Sequence, residues 1–388
     1  MRADLRPAAP LEAALKQRRV LVVCGAGGVG KTTTAAALAL QAALLGRRVL
    51  VCTIDPSRRL ATSLGLSELS QKPRLLPLER FGLRAAGEMW AMTLDTKGTF
   101  DSLVERFASS DEARRRILDN RFYKQVSAAL AGTHEYMAME KLFELSADKR
   151  FELVILDTPP TRHALDFLEA PDRMMSFLDA SILRFILKPY FVAGRLTLKV
   201  ATRTGAAMLG LVDRYLGLQF LQDLSEFFLS FEAMYDGFKE RAARVFALLR
   251  DPASGFVLVA TPARLTLDEA FYFYRRLEEK KMPFVGLVVN RLHPDPAEGA
   301  TGAGRAPSPA LAKALVEKLA AVLRDQRLVA RAERKSLARL EVDVGQAPVL
   351  VPELEADVHD LRGLAEIAAA IFGRVPATGL ARRRARVS

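Results

Sequence analysis

The residues of this chain best suited to chemistry stand together: Gly25, Ala26, Gly27, Gly28, Val29, Gly30, Lys31, Thr32 and Thr33. Glycines at this spacing let successive backbone N–H groups turn inward on a polyphosphate. Lys31 adds a mobile cation for the β- and γ-phosphates, and the Thr32 hydroxyl is suited to ligate Mg2+. Two carboxylates follow: Asp55 closes the run VLVCTID, and Asp157 closes FELVILD. A carboxylate at the C-terminal end of a strand beside a phosphate loop lies where open α/β sheets bind ligands. Asp157 is therefore the candidate for holding Mg2+, directly or through water. Asp55 is better placed to orient an attacking water, so Asp55 and Lys31 are the candidate catalytic residues.

These residues need strands that end at one edge and a helix that begins on the loop. Short β-branched runs recur at Val20–Cys24, Val49–Ile54, Trp90–Leu94, Leu153–Leu156, Phe256–Ala260, Val285–Asn290 and Pro348–Val351. Continuous apolar strands are buried on both faces, which predicts a mainly parallel, doubly wound α/β sheet flanked by helices. The run VLVVC passes directly into the glycine loop and then into TTAAALALQAAL, the strand–loop–helix context of a P-loop NTPase.

One nucleotide-binding domain is expected over residues 19–372, since no internal repeat is present. Between Leu156 and Phe256 only helical spacings of Leu, Phe, Met and Ala occur, so residues 168–249 read as a helical insertion. Residues 294–309, rich in Gly, Ala and Pro, read as a mobile loop. Helix resumes near Leu311 and runs through Leu340. Residues 373–388, with Arg382, Arg383, Arg384 and Arg386, read as a solvated basic tail.

Composition bounds the rest. The chain has 388 residues, half of them hydrophobic and about a quarter charged, which excludes disorder throughout. Its greasiest stretch, Met174 to Val192, is broken by Asp179, Arg184 and Lys188, short of the roughly 18 apolar residues a membrane span needs. No secretory signal is read in the first residues, and two cysteines, Cys24 and Cys52, cannot form a disulfide framework. Both features lead us to expect a cytoplasmic protein. A net charge of +12 favours anionic partners without choosing among nucleotides, nucleic acid and acidic lipid.

In order along the chain, GAGGVGKTTTAAALAL, TIDPSRRLATSLGL, AGTHEYMAMEKLFEL, ILDTPPTRHALDFLEAP, VVNRLHP and VPELEADVHDLRGL resemble the ArsA-type ATPases. That family includes arsenical-pump subunits and the ATPase that guides tail-anchored proteins to membranes. The resemblance spans about Arg19 to Phe372 and implies ATP and Mg2+ as ligands. It also implies a switch I at Asp55–Leu60, a switch II at Asp157–His163, and the hydrolytic role for Asp55. Adenine recognition falls to Asn290, with Pro352 to Glu355 near the same base. A dimer and a client-binding helical surface are implied as well, the dimer formed with itself or with a related chain.

The departures from the pattern are specific. Relatives carry a signature lysine that reaches the partner's nucleotide, and here that position is Ala26. Arg58, Arg59 and Arg162 are candidates to replace it, as guanidinium suits phosphate geometry. Ala263 stands where some relatives have a carboxylate at the nucleotide interface. A zinc-clasping CxxC pair is absent, and His134, His163, His293 and His359 show no ligand spacing, so no zinc is expected. Arsenite-type ligation would need several converging thiolates, which two strand cysteines do not supply. The function expected is ATP hydrolysis coupled to a dimer that binds or delivers a hydrophobic protein segment, with possible contact at the inner membrane face. Alternatives are the ATPase of an anion extrusion system and a weakly hydrolysing nucleotide-binding scaffold. The apolar insertion and the VVNRLHP element count against nucleic acid as the partner.

Overall fold

The structure is a computed structural model and describes residues 8–55, 58–108, 110–120, 123, 133–158, 235–296, 313–354 and 357–373. These residues fall in two compact units, the first built from residues 1–94, 144–165 and 248–388, the second from 95–143 and 166–247.

The first unit is an eight-stranded sheet. In chain order it contains α1 (Ala9–Gln17), β1 (Val20–Gly25), α2 (Lys31–Leu44), β2 (Arg48–Thr53), α3 (Arg59–Ser63), β3 (Arg74–Leu75), a 3-10 turn (Leu78–Phe81) and β4 (Glu88–Thr93). After the second unit's segments come β5 (Leu153–Asp157), β6 (Ser254–Ala260) and α8 (Arg264–Glu279). Then follow β7 (Phe284–Leu292), α9 (Lys313–Val344), β8 (Val349–Pro352) and α10 (Leu361–Phe372). The strand order is β3-β4-β2-β5-β1-β6-β7-β8, parallel throughout except for β3.

All seven expected strands are present, within two residues at either end. Their legibility has a physical cause: Val20 to Cys24 in β1 and Leu153 to Asp157 in β5 are wholly buried, so both faces had to be apolar. β3 has no such pattern. It is two exposed residues on an antiparallel edge, held to β4 by register rather than by burial. α1 was not anticipated either, although Leu11, Ala14 and Leu15 bury one face of it.

Helix α2 explains how the loop is fixed. Ala35, Ala36, Ala37, Ala39, Ala42 and Ala43 are all buried, so its backbone approaches the sheet closely on one side and α10 on the other. Only small side chains allow a helix to be enclosed on both sides at that distance. α10 begins on Asp360, whose Oδ1 accepts from the N–H groups of Arg362 and Gly363, both at 2.9 Å, a side-chain cap that fixes its first turn.

The second unit, among the described residues, contains α4 (Thr96–Phe107), α5 (Asp111–Asp119), and most of α6 (Thr133–Ala147) and α7 (Tyr235–Arg250). Residues 95–143 thus supply helices outside the expected insertion, and of the insertion at 168–249 the described part is residues 235–249 in α7. Its core holds a charge: Arg241 Nε donates to Glu140 Oε1 at 2.6 Å, and its guanidinium lies 4.2 Å from the centre of the Phe143 ring. Most of the insertion, the loop at 294–309 beyond residue 296 and the basic tail lie outside the described residues. So do Arg162, His163 and the rest of switch II after Thr158.

Candidate active site

β1 ends at Gly25, and α2 begins at Lys31, which leaves five residues to turn the chain over the strand ends. The turn needs left-handed backbone at Gly28 and Gly30, with φ of +77° and +95°. Space is the second constraint. A Cβ on Gly25 would stand 2.1 Å from the carbonyl oxygen of Val259, and one on Gly30 would stand 2.2 Å from Asn290 Nδ2. Gly25 and Gly30 are therefore demanded by the packing of β6 and β7 against the loop.

Lys31 is buried, and its Nζ donates to the Ala26 carbonyl at 2.7 Å, so the ammonium folds back over its own loop. Burial lowers its pKa, opposed by the nearby Asp157 and Asp55 carboxylates. Thr32 Oγ1 donates to Asp157 Oδ2 at 2.8 Å, so the two groups expected around Mg2+ are in contact.

Strand register decides the surroundings of Asp157. It pairs with Val23 of β1 on one side and Thr53 of β2 on the other. Thr53 Oγ1 consequently donates to the same Asp157 Oδ2, at 2.9 Å, and accepts from the backbone N–H of Asp55 at 3.2 Å. Thr53 was not singled out from the sequence. Its signal was only its position two residues before Asp55, on the strand that neighbours Asp157.

Asp157 is fully buried, and burial raises its pKa to about 6 against the lowering effects of Thr32, Thr53 and Lys31. Its second oxygen, Oδ1, has no hydrogen-bond partner. A buried carboxylate oxygen without a donor is costly unless something else satisfies it. A hard divalent cation takes oxygen ligands, so Thr32 and Asp157 are a donor set that fits Mg2+. Among the described residues no group of three or more His, Cys, Asp or Glu is arranged to hold a metal ion on its own. An ion at Asp157 would thus need phosphate or water to complete its shell.

Lys31, Thr32 and Asp55 line a cavity of about 820 Å³, behind which Asp157 and Thr53 are buried. Gly28, Gly30, Lys31, Thr32 and Thr33 line one end, with Asp55, Arg58 and Arg59 beside them. Asn290, Pro352 and Glu353, the last two from the segment expected near the base, line it too, together with Arg291, Asp357 and His359, none of which was named as a site residue beforehand. Asn290 is clamped to the phosphate loop: its Nδ2 donates to the Val29 carbonyl at 3.0 Å, and its Oδ1 accepts from Arg291 N–H. Arg291 takes a left-handed φ of +59°, where the β7–β8 register shifts. Arg59 Nη1 lies 4.0 Å from Asp55 Oδ2, so this candidate arginine stands against a carboxylate of its own chain.

Cys24 and Cys52 are both buried, and burial pushes the Cys24 thiol up to about 12. Among the described residues, no helix is long and apolar enough to cross a membrane.

A glycine loop at the end of β1, a lysine and threonine opening α2, and a carboxylate ending β5 together define a P-loop nucleotide hydrolase. Comparison with known proteins narrows this class. The family model for ArsA ATPases, described as anion-transporting ATPases, matches residues 18–306, and the chain belongs to that family of ATPases. It is similar to the ATPase GET3C of Arabidopsis thaliana, 29% identical over 295 residues, covering 72% of this chain and 68% of that protein. It is also similar to the ATPase GET3 of Podospora anserina, 27% identical over 290 residues (73% of this chain and 76% of that one). The ATPase get3 of Aspergillus terreus is 24% identical over 279 residues, covering 71% and 74%. Beyond residue 306, the end of the match, lie α9, β8 and α10, with β8 at the sheet edge.

Proposed function

We propose that this ATPase hydrolyses Mg·ATP and couples turnover to the opening and closing of a dimer that binds or delivers a hydrophobic protein segment, as in tail-anchored protein targeting. The observation that carries the nucleotide part is that Lys31, Thr32 and Asp55 line one cavity, with Thr32 hydrogen-bonded to the buried Asp157, which Thr53 also holds. The client part is supported by the similarity to GET3 ATPases and by the Met- and Phe-rich composition of residues 168–249.

In this reading the loop amides from Gly25 to Thr33 and the start of α2 hold the phosphates. Lys31 exchanges the Ala26 carbonyl for phosphate oxygens, since an ammonium held by one carbonyl is a mobile cation. Thr32 and Asp157 would hold Mg2+, which when bound neutralises charge developing on the transferred phosphoryl group. Asp55, fixed at its backbone by Thr53, orients water in line with the γ-phosphate. Asn290 and Pro352 border the base. Arg58 and Arg59 line the same chain's cavity and are the candidates for the cationic charge that Ala26 lacks.

Turnover of the pure protein beside Asp55→Asn, with and without an apolar helical peptide, tests the proposal. Turnover that is lost in the variant and changes with peptide supports a client-coupled ATPase. A second reading, a nucleotide-binding scaffold, is favoured specifically by Ala26. It predicts nucleotide binding with equal, negligible turnover in both proteins.

A further inference from the structure

Near its end β7 departs from regular strand geometry. Val289 pairs with Leu350 of β8 and Leu292 with Pro352, so Asn290 and Arg291 together stand opposite Val351 alone. One extra residue on one strand is a bulge, and a bulge re-aims a side chain that a regular strand would send to the other face. Asn290 and Arg291, consecutive in the chain, accordingly both line the nucleotide cavity. Arg291 takes a φ of +59°, left-handed backbone that glycine adopts freely and other residues rarely. Asn290 Oδ1 holds it there by accepting the Arg291 N–H at 3.0 Å. Strain of this kind persists where the surroundings impose it, and it gathers at ligand sites. Arg291 is exposed, and among the described residues its guanidinium makes no hydrogen bond or ion pair.

Sheet topology decides which part of a nucleotide lies near that cation. The Thr32–Asp157 pair that fits Mg2+ belongs to α2 and β5. From β5 the sheet continues through β1 and β6 to β7, three strand spacings or about 14 Å. Arg58 and Arg59 follow β2, the opposite neighbour of β5, so the arginines bracket the cavity. Phosphates gathered at Lys31 and Thr32 leave the β7 end to the base. No Phe, Tyr or Trp is among the described residues that line the cavity. The ring of His359 belongs to the other side, since its backbone lies near Gly65, which follows α3. A guanidinium is planar, less strongly hydrated than an ammonium, and stacks on π faces. We propose that Arg291 binds the nucleotide base, with its guanidinium stacked on the purine ring. This contact rests on the nucleotide reading above and adds to it a residue that touches no phosphate.

Calorimetric titration of the full chain with ADP, ATP and tripolyphosphate, each with Mg2+, tests the contact, because tripolyphosphate has no base. Arg291→Ala should raise Kd about tenfold for ADP and ATP alike, as for a partly desolvated cation on an aromatic face. Tripolyphosphate should bind to that variant within about twofold of wild type. Arg291→Lys keeps the charge and loses the plane, so its Kd for ADP should stay close to that of Arg291→Ala. Arg291→Gly relieves the left-handed backbone and should melt no lower than wild type without nucleotide, yet bind ADP as weakly as Arg291→Ala. A residue needed only to shape the bulge would instead lower Tm and weaken tripolyphosphate along with ADP. ADP binding by Arg291→Ala within about twofold of wild type overturns the proposal. An equal loss for tripolyphosphate also overturns it, by placing the guanidinium on phosphate. Wild type that binds neither ADP nor tripolyphosphate overturns the nucleotide reading itself, and this contact with it.

Discussion

Replacing Thr53 by Val should damage the site although the sequence reading gave this residue no role. Valine has nearly the same shape as threonine and, at a position 2% exposed, changes packing little. It removes one hydroxyl, which gives a 2.9 Å hydrogen bond to buried Asp157 and accepts the Asp55 N–H at 3.2 Å. A hydrogen bond to a charged group contributes about 1.5–3 kcal/mol. The Asp55 amide, in a part-buried loop, regains some of its loss from water, so about 2 kcal/mol is the expected destabilisation. For a folded unit of this size that lowers Tm by roughly 4–8 °C. Thermal unfolding in chelator, with Thr53→Ser as the control that keeps the hydroxyl, measures it. Outer partners of a metal-binding carboxylate also orient it, so the Mg2+ concentration for half-maximal turnover should rise about tenfold in Thr53→Val. If Thr53→Val and Thr53→Ser melt together and need the same Mg2+, the register-built network does not hold Asp157, and the reasoning fails.

Three further outcomes follow from other parts of the molecule. His293 Nδ1 lies 2.7 Å from Glu333 Oε1 of α9, and its Nε2 lies 3.3 Å from Glu353 Oε2 at the cavity wall. His293→Ala should raise the KM for ATP about fivefold, the loss of roughly 1 kcal/mol of hydrogen bonding, and leave kcat within about twofold. An unchanged KM would show that Glu353 is held by other means. In the second unit, Arg241→Met removes the guanidinium 2.6 Å from Glu140, only 2% exposed, and should cost about 3–5 kcal/mol in denaturant unfolding. Adding Glu140→Gln should recover part of that loss, and a double variant no better than the single would refute the pair. Cys24 has a folded pKa near 12, above the unfolded value of 9.0, so the folded protein holds this proton more tightly. Its contribution to stability is complete below pH 9 and is lost as pH rises from 9 to 12, by up to about 1.4 kcal/mol per pH unit. Native protein at pH 8 should therefore leave an aromatic disulfide reagent unreacted, and both thiols should appear on unfolding. Native reaction of Cys24 would contradict its burial.

The parts of the fold legible in the sequence were those where chemistry or burial permits few residue types. Strands buried on both faces must be apolar throughout, so β1, β2 and β5 could be read directly. Gly28 and Gly30 sit at positive φ, where other residues are strained, so the phosphate loop could be read as well. Asp55 and Asp157 were visible because each closes such a strand. What the tertiary structure decided was adjacency. Thr53 meets Asp157 only because β2 and β5 are neighbours in a particular register, and nothing local to residue 53 encodes that. Asn290 approaches Val29 across 261 positions of sequence. The His293–Glu333–Glu353 contacts join β7, α9 and the end of β8 in the same way. Helix α9 is the clearest case: Ala330 and Leu337 are buried, whereas Leu319 and Val322, equally apolar and on the same helix, are about half exposed. Only the packing shows where the body of the protein stops covering it. Sequence records which side chains can be buried; the assembled sheet determines which of them are.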